Sequence, residues 1–261
     1  MKVVRTIPET RAALATERET KHIALVPTMG AFHGGHLSLF SAAKDECDLV
    51  VVSLFVNPAQ FGENADLATY PRDETRDLAI AEEAGVDLVF APSPREMYPE
   101  GFETWVDVTE LGAVLEGVYR PGHFRGVATV CLKLFNIVQP DVAYFGQKDA
   151  QQVEVIRRMI RDLHVELTLR VLPTVRDADG LALSSRNAAL TPDERSLALE
   201  LPKALATKDP DLARAQLNGL NVDYLEVAPF DPPVLAAAIR VGSIRLIDNV
   251  PLEETNEHET A

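Results

Sequence analysis

Short apolar runs rich in Val, Leu and Ile alternate with longer stretches whose apolar residues recur at i, i+3 and i+4 over about the first two thirds of the chain. The runs His22 to Pro27, Asp48 to Val56, Asp87 to Ala91, Asp141 to Phe145 and Val165 to Leu172 read as strands. Their near-continuous hydrophobicity predicts burial on both faces. The stretches His36 to Glu46, Asp66 to Ala84, Val127 to Val138 and Ala150 to Leu163 read as the helices that cross between those strands. Strands and helices alternating in this way predict an α/β fold, a Rossmann-like parallel sheet with helices on both faces.

Past about Pro173 the texture changes. "DADGLALSSRNAALTPDE" is a polar loop, and Thr191-Pro192 offers an N-cap and first-turn pair for a following helix. Strand-like runs at Val222 to Val227 and Ser243 to Ile247, separated by the Pro-rich "PFDPPV", are expected to pair in a small sheet. The expected division is a Rossmann-like domain over residues 1–174 and a smaller C-terminal α+β domain over residues 175–261. The acidic tail "PLEETNEHETA", poor in apolar residues, is expected to be disordered.

Composition changes this picture mainly through charge. With 46% of 261 residues hydrophobic, a real core is within reach. The formal charge of -15 removes any general attraction to DNA, RNA or an anionic membrane, so a phosphate-bearing ligand needs a local cationic site. Cys47 and Cys131 have no C-x-x-C partner and lie in or beside apolar runs, which predicts reduced, buried thiols rather than a disulfide. The N-terminus "MKVVRTIPET" has no apolar signal core, and no run approaches the roughly 18 apolar residues of a membrane span. A cytoplasmic protein is expected.

The candidate chemistry begins at "ALVPTMGAFHGGHLSL". A buried strand ends at Pro27, Gly30 begins a turn, and a helix follows from about Gly35 or His36. Such a junction presents a helix N-terminus, with its unpaired N–H groups and positive dipole end, to a crevice suited to phosphate. His33 and His36 stand three apart, so both imidazoles can face the same way and donate to phosphate oxygens. By itself an H-x-x-H pair is more often a helix cap beside an ordinary packed histidine. It is a poor zinc site, because no cysteine or third histidine is placed to complete it.

The match extends well beyond that pair. Pro27-Thr28-Met29-Gly30-Ala31-Phe32-His33-Gly34-Gly35-His36 resembles the opening signature of the pantothenate synthetases, a variant of the HIGH motif of the nucleotidyltransferase superfamily. "SLFVNPAQF", "YPR", "YRPGHFRGVATV", "DVAYFGQKDAQQ", "DGLALSSRN" and "VDYLEV" agree in the same order, covering nearly the whole chain. The resemblance implies a pantoate–β-alanine ligase that uses ATP and Mg²⁺ and forms a pantoyl-adenylate. It implies an ATP site at Pro27, Thr28, Met29, Gly30, His33, His36, Gly146, Lys148, Asp149, Val175, Leu183, Ser184, Ser185 and Arg186. Among these, His33, His36, Lys148, Ser184, Ser185 and Arg186 are the implied catalytic set, and Asp149 is the expected partner of the ribose. Gln60 and Gln152, with apolar contact from Met29 and Phe61, match the pantoate pocket, while Asn57, Tyr70, Arg120 and His123 match further substrate-contact positions.

These residue types suit the implied reaction. A carboxylate that attacks the α-phosphorus of ATP needs two anions brought together and the growing charge stabilised, a task for cations and hydrogen-bond donors. Arg186 is suited to paired phosphate oxygens by its planar fork, and the two glutamines can both donate to and accept from hydroxyls. Hydrolysis of the adenylate has to be prevented, which predicts a mobile flap within Gln60 to Tyr70.

The chain also departs from the family pattern. Gly34 stands where an acidic residue is usual, Gln147 where Glu is common and Leu183 where Met is common, and the stretch from Lys203 to Asn221 is shorter than usual. The same sequence features are compatible with another HIGH-motif nucleotidyltransferase, including an aminoacyl-tRNA synthetase, and with a non-catalytic nucleotide-binding regulator. The acidic charge opposes tRNA. A nicotinamide-dependent dehydrogenase is disfavoured because no G-x-G-x-x-G follows the first strand. The expected partners are small molecules, with neither nucleic acid nor membrane, and the resemblance implies a homodimer.

Overall fold

The computed structural model describes residues 1–62, 67, 68 and 70–253. Residues 63–66 and 69 of the expected flap, and residues 254–261 of the acidic tail, lie outside the described residues. The chain divides into two compact units, Met1–Gly146 with Val155–Leu172, and Gln147–Glu154 with Pro173–Ala261.

The first unit is built on a parallel sheet. Its strands are β1 (Lys2–Val4), β2 (Ile23–Thr28), β3 (Leu49–Leu54), β4 (Leu88–Phe90), β5 (Val142–Gly146) and β6 (Thr168–Leu172), in the spatial order β1-β4-β3-β2-β5-β6. The central β2 and β3 are buried almost throughout, because helices cover both faces and leave only apolar side chains room there. Ala24, Val26, Phe40, Val50, Val52 and Tyr144 belong to the resulting core. The last strand differs from expectation: β6 is only half-buried, since it forms the sheet edge, and it starts at Thr168 rather than Val165.

The helices of this unit include α1 (Ile7–Leu14), α2 (Gly34–Glu46), α3 (Glu74–Glu83) and α4 (His123–Val138), while α5 (Ala150–Asp162) is divided between the two units. Of the helix expected over Asp66 to Ala84, Leu67 and Ala68 are helical, residues 66 and 69 lie outside the described residues, and a separate helix begins at Glu74, where the Asp73 carboxylate caps it by accepting the Arg76 N–H at 3.0 Å. Pro71 accounts for the interruption before Glu74, since its ring disfavours helical geometry at Tyr70. Conversely, α4 starts at His123, earlier than expected, just after Gly122 takes a left-handed φ of 79°.

The second unit carries an antiparallel sheet, β7 (Asn221–Ala228), β8 (Val234–Val241) and β9 (Ile244–Pro251), in that order. The two runs expected to pair with one another are therefore not neighbours, because β8 lies between them. Its sequence "VLAAAIRV" is buried at every position but Arg240, and its consecutive alanines hide the strand signal. Packed on this sheet are α6 (Pro192–Ala198), α7 (Glu200–Leu205) and α8 (Pro210–Gln216), through Ala198, Leu201, Leu205 and Ala213. Thr191 and Glu194 form the capping box that opens α6.

Candidate active site

In the first unit the strand order reverses at β2, whose neighbours are β3 and β5. The β2–β3 ladder continues to Thr28 and Leu54, but the β2–β5 ladder ends at Leu25 and Ala143. Backbone direction explains the difference. Thr28 turns its carbonyl to the β3 side, accepting the Phe55 N–H at 3.1 Å, so Pro27 faces β5, where it has no N–H to donate. The strands part at their carboxyl ends, which is where ligands bind in open α/β sheets.

The loop leaving β2 is held by a residue that the sequence does not single out. Asp77 of α3, 1% exposed, accepts the Ala31 N–H at 2.8 Å and the Phe32 N–H at 2.9 Å. Gly30 and Ala31 both take positive φ, 85° and 53°, to make this turn. A Cβ on Gly30 would stand 2.7 Å from Asp77 Oδ2, so glycine is required by space as well as by conformation. Phe32, 2% exposed, packs edge-on against Phe40 at 5.2 Å between centroids, fixing the start of α2 to the core. Thr28 uses its hydroxyl internally, donating to the Ser53 carbonyl at 2.6 Å.

His33 and His36 cap α2 and each other. His33 Nδ1 accepts the Gly35 N–H at 3.1 Å, and His36 Nδ1 accepts the His33 N–H at 3.3 Å, a capping box made of imidazoles. The rings stand 4.3 Å apart between centroids. Because each Nδ1 accepts a peptide N–H, the neutral ring carries its proton on Nε2. Helix capping and phosphate donation thus use opposite nitrogens of the same rings, and the two readings of the motif are compatible.

Beyond β3, Gln60 is buried and sends its Nε2 to Met29 Sδ at 3.2 Å. His123 Nδ1 and the Gln60 carbonyl oxygen are 2.8 Å apart, and Arg120 Nη1 lies 3.1 Å from His123 Nε2. A guanidinium only donates, so Nε2 accepts and Nδ1 donates to Gln60. The Phe61 and Tyr70 rings meet edge-on at 5.8 Å. Met29, Asn57, Gln60, Arg120 and His123 are therefore gathered around one turn of the first unit.

In the second unit Lys148, Ser184 and Arg186 line a small cavity together with Asn187, Leu201, Arg245 and Asp248, among others. Asn249 holds the Lys148 segment in place, its Nδ2 donating to the carbonyls of Gln147 and Lys148, each at 2.9 Å. Ser184 Oγ accepts the Arg186 N–H at 3.3 Å and so caps the turn Ser185–Ala189. Asp248, buried, takes a two-pronged pair from Arg176 at 2.6 and 3.1 Å. Ser185, Asp149, Gln152, Val175 and Leu183 do not line this cavity. Leu183 and Val175 instead pair through a backbone hydrogen bond of 2.9 Å. A Cβ added to Gly146 would meet no heavy atom within 4 Å, which leaves that strand end accessible. Sequence reasoning missed Asp77, Asp248 and Asn249; the run "LIDNVP" carried the only signal for the last two, two polar residues inside an apolar stretch.

Both cysteines are unpaired. Burial pushes the Cys131 thiol up to about 12, so it is chemically quiet. Cys47 departs from expectation in being only half-buried; partial burial still raises its thiol, with the Tyr144 hydroxyl at 3.6 Å pulling the other way. Among the described residues, no group of three or more His, Cys, Asp or Glu side chains is arranged to hold a metal.

An open parallel α/β sheet with an imidazole-capped helix at its reversal point, and a second unit collecting a lysine, an arginine and a serine around one cavity, are the features of an α/β enzyme suited to phosphate-bearing substrates. The family model described as pantoate-beta-alanine ligase matches residues 2–251. The chain belongs to that family. It is 50% identical to pantothenate synthetase 1 of Bradyrhizobium diazoefficiens, over 97% of this chain and 98% of that one. It is 49% identical to the pantothenate synthetase of Heliobacterium modesticaldum, over 97% of this chain and all of that one. The crystal structure of pantothenate synthetase from Thermus thermophilus superposes with a TM-score of 0.92 at 45% identity, covering 97% of this chain and 100% of that one. Pantoate-beta-alanine ligase from Francisella tularensis, complexed with beta-gamma ATP and beta-alanine, gives 0.87 at 35% identity, covering 97% and 98%. Among the described residues no helix is long and apolar enough to cross a membrane.

Proposed function

We propose that this chain condenses pantoate with β-alanine in an ATP-driven reaction that passes through a pantoyl-adenylate and releases AMP and pyrophosphate. The observation that carries the reading is the family match across residues 2–251. In the first step a pantoate carboxylate oxygen bonds to the α-phosphorus of ATP while the bond from that phosphorus to the β-phosphate oxygen breaks. His33 and His36 donate from Nε2 to phosphate oxygens, and Lys148 and Arg186 neutralise the charge that collects on the transferred and leaving phosphates. Ser184 and Ser185 complete the cradle of the leaving group, Asp149 takes the ribose, and Gly146, Val175 and Leu183 border the nucleotide.

In the second step the β-alanine nitrogen bonds to the acyl carbon, the bond from that carbon to the phosphate oxygen breaks, and the amine gives up a proton. The mixed anhydride is already activated, so proximity supplies most of the remaining acceleration. Gln60 and Gln152 bind pantoate, with Met29 and Phe61 as apolar walls, and Asn57, Tyr70, Arg120 and His123 stand around them. Magnesium fits a role as the ion carried on the triphosphate, which keeps most of its ligands from water and phosphate and needs no cage of protein carboxylates. When bound, it would disperse the negative charge of the leaving pyrophosphate. Residues 1–174 are read as the nucleotide- and pantoate-binding domain and 175–261 as its lid, in a cytoplasmic homodimer.

The test is an end-point assay with ATP, Mg²⁺, pantoate and β-alanine, following AMP and pantothenate. Equal amounts of both are expected. AMP formed only with a different acid or amine would overturn the substrate assignment while leaving adenylation intact.

A further inference from the structure

Asn57, Gln60 and Tyr98 form a hydrogen-bonded chain whose direction is set by backbone groups. Asn57 Oδ1 accepts the Ala59 N–H at 3.3 Å, and a peptide N–H can only donate. Asn57 Nδ2 donates to the Gly126 carbonyl at 3.2 Å, and a carbonyl can only accept. These two backbone groups decide which end of the amide accepts and which donates, while the shorter side-chain contacts set where it sits. Its second N–H donates to Gln60 Oε1 at 2.9 Å, and its second lone pair accepts the Tyr98 hydroxyl at 2.7 Å. All four hydrogen-bonding positions of Asn57, itself 1% exposed, are thus used.

The consequence falls on Gln60. With Oε1 committed as an acceptor, the side chain presents Nε2, a donor, toward Met29 Sδ at 3.2 Å. A thioether is a weak acceptor, so an oxygen on a substrate is the better partner for that N–H. Tyr98 suits the outer end of the chain. Burial pushes its ionisation well above the usual phenol range, which keeps it a neutral donor, and its ring is packed edge-on against Phe102 at 5.0 Å.

We propose that Tyr98 is a positioning residue of the acid-substrate pocket: through Asn57, its hydroxyl holds Gln60 as a donor that selects a hydroxyl or carboxylate oxygen of the substrate. This rests on the reading of Gln60 as a pantoate ligand. Tyr98 touches no reacting atom and acts only through the two amides.

Tyr98→Phe removes one oxygen and keeps the ring. The expected result is a pantoate KM raised about 10-fold, the scale of one unfilled buried acceptor, with the KM values for ATP and β-alanine within about twofold of wild type. In a Gln60→Ala background the same change should leave the pantoate KM unmoved, because its effect is transmitted through Gln60. Gln60→Glu, which presents an oxygen in place of the N–H, should raise the pantoate KM at least as much as Gln60→Ala. An unchanged pantoate KM in Tyr98→Phe, equal effects in both backgrounds, or a Gln60→Glu enzyme with wild-type pantoate KM would each overturn the inference while pantoate turnover by the wild type still stands. A wild-type enzyme that consumes no pantoate would overturn the reading of the pocket and this inference with it.

Discussion

A neutral histidine that accepts a peptide N–H at Nδ1 has one nitrogen left for a proton, and that restriction is what joins structure to chemistry at His33 and His36. The two roles separate in His33→Asn, since asparagine is among the best N-caps but has no donor at the imidazole Nε2 position. Its Tm should stay within a few degrees of wild type while adenylate formation falls about 100-fold, the scale of a lost electrostatic contact. A parallel loss of both would make the residue a cap alone. Asp77 offers the complementary case. Asp77→Ala leaves the half-buried Ala31 N–H and the buried Phe32 N–H without their partner and should cost about 3 kcal/mol of unfolding free energy, read from denaturant melts. The histidines were legible because their spacing and glycines make a recognisable string. Asp77 was not, because it reaches the loop from more than forty positions away, and no local pattern records that contact.

At the scale of elements, the reading succeeded where burial and periodicity agree and failed where one of them is weak. The five long strand runs and the capped start of α6 were visible as apolar stretches and as a Thr-Pro-x-Glu sequence. β1 was missed because only Val4 of its three residues is buried, whereas the equally short β4 is apolar and buried throughout, and β8 because alanine carries little strand preference. The start of α3 was misplaced because amphipathic spacing continues across Pro71 although the helix does not. One element contact bears directly on the pantoate pocket. α4 approaches the Asn57–Gln60 turn so closely that a Cβ on Gly126 would overlap the Ala59 carbonyl and stand 2.6 Å from the Gln60 nitrogen. Gly126→Ala should therefore displace the turn and raise the pantoate KM more than that of ATP. Equal shifts in both constants would point to general loosening instead.

For the whole molecule, a formal charge of -15 means that a polyanion can be bound only through local cationic sites, and some of the surface carboxylates are held in ion pairs. Glu46 is one such case. Arg170 hydrogen-bonds it at 2.7 to 3.1 Å and outweighs partial burial, so its carboxyl lies below the ordinary 4.5. A depressed folded-state value means that the stabilisation is present above about pH 4.5 and is lost as the pH falls through the lower, folded value. Arg170→Met should flatten the decline of the denaturant midpoint with falling pH in that range, modestly, since both partners are about one third exposed or more. Coincident curves for the two proteins would remove the pair from the acid response.

Formation of the acyl-adenylate is tested most directly by exchange of labelled pyrophosphate into ATP with pantoate present and β-alanine omitted. The expected result is exchange that requires pantoate and falls about 100-fold in His36→Ala and in Lys148→Ala. Pantothenate synthesis by the wild type without any such exchange, or exchange indifferent to pantoate, would contradict it.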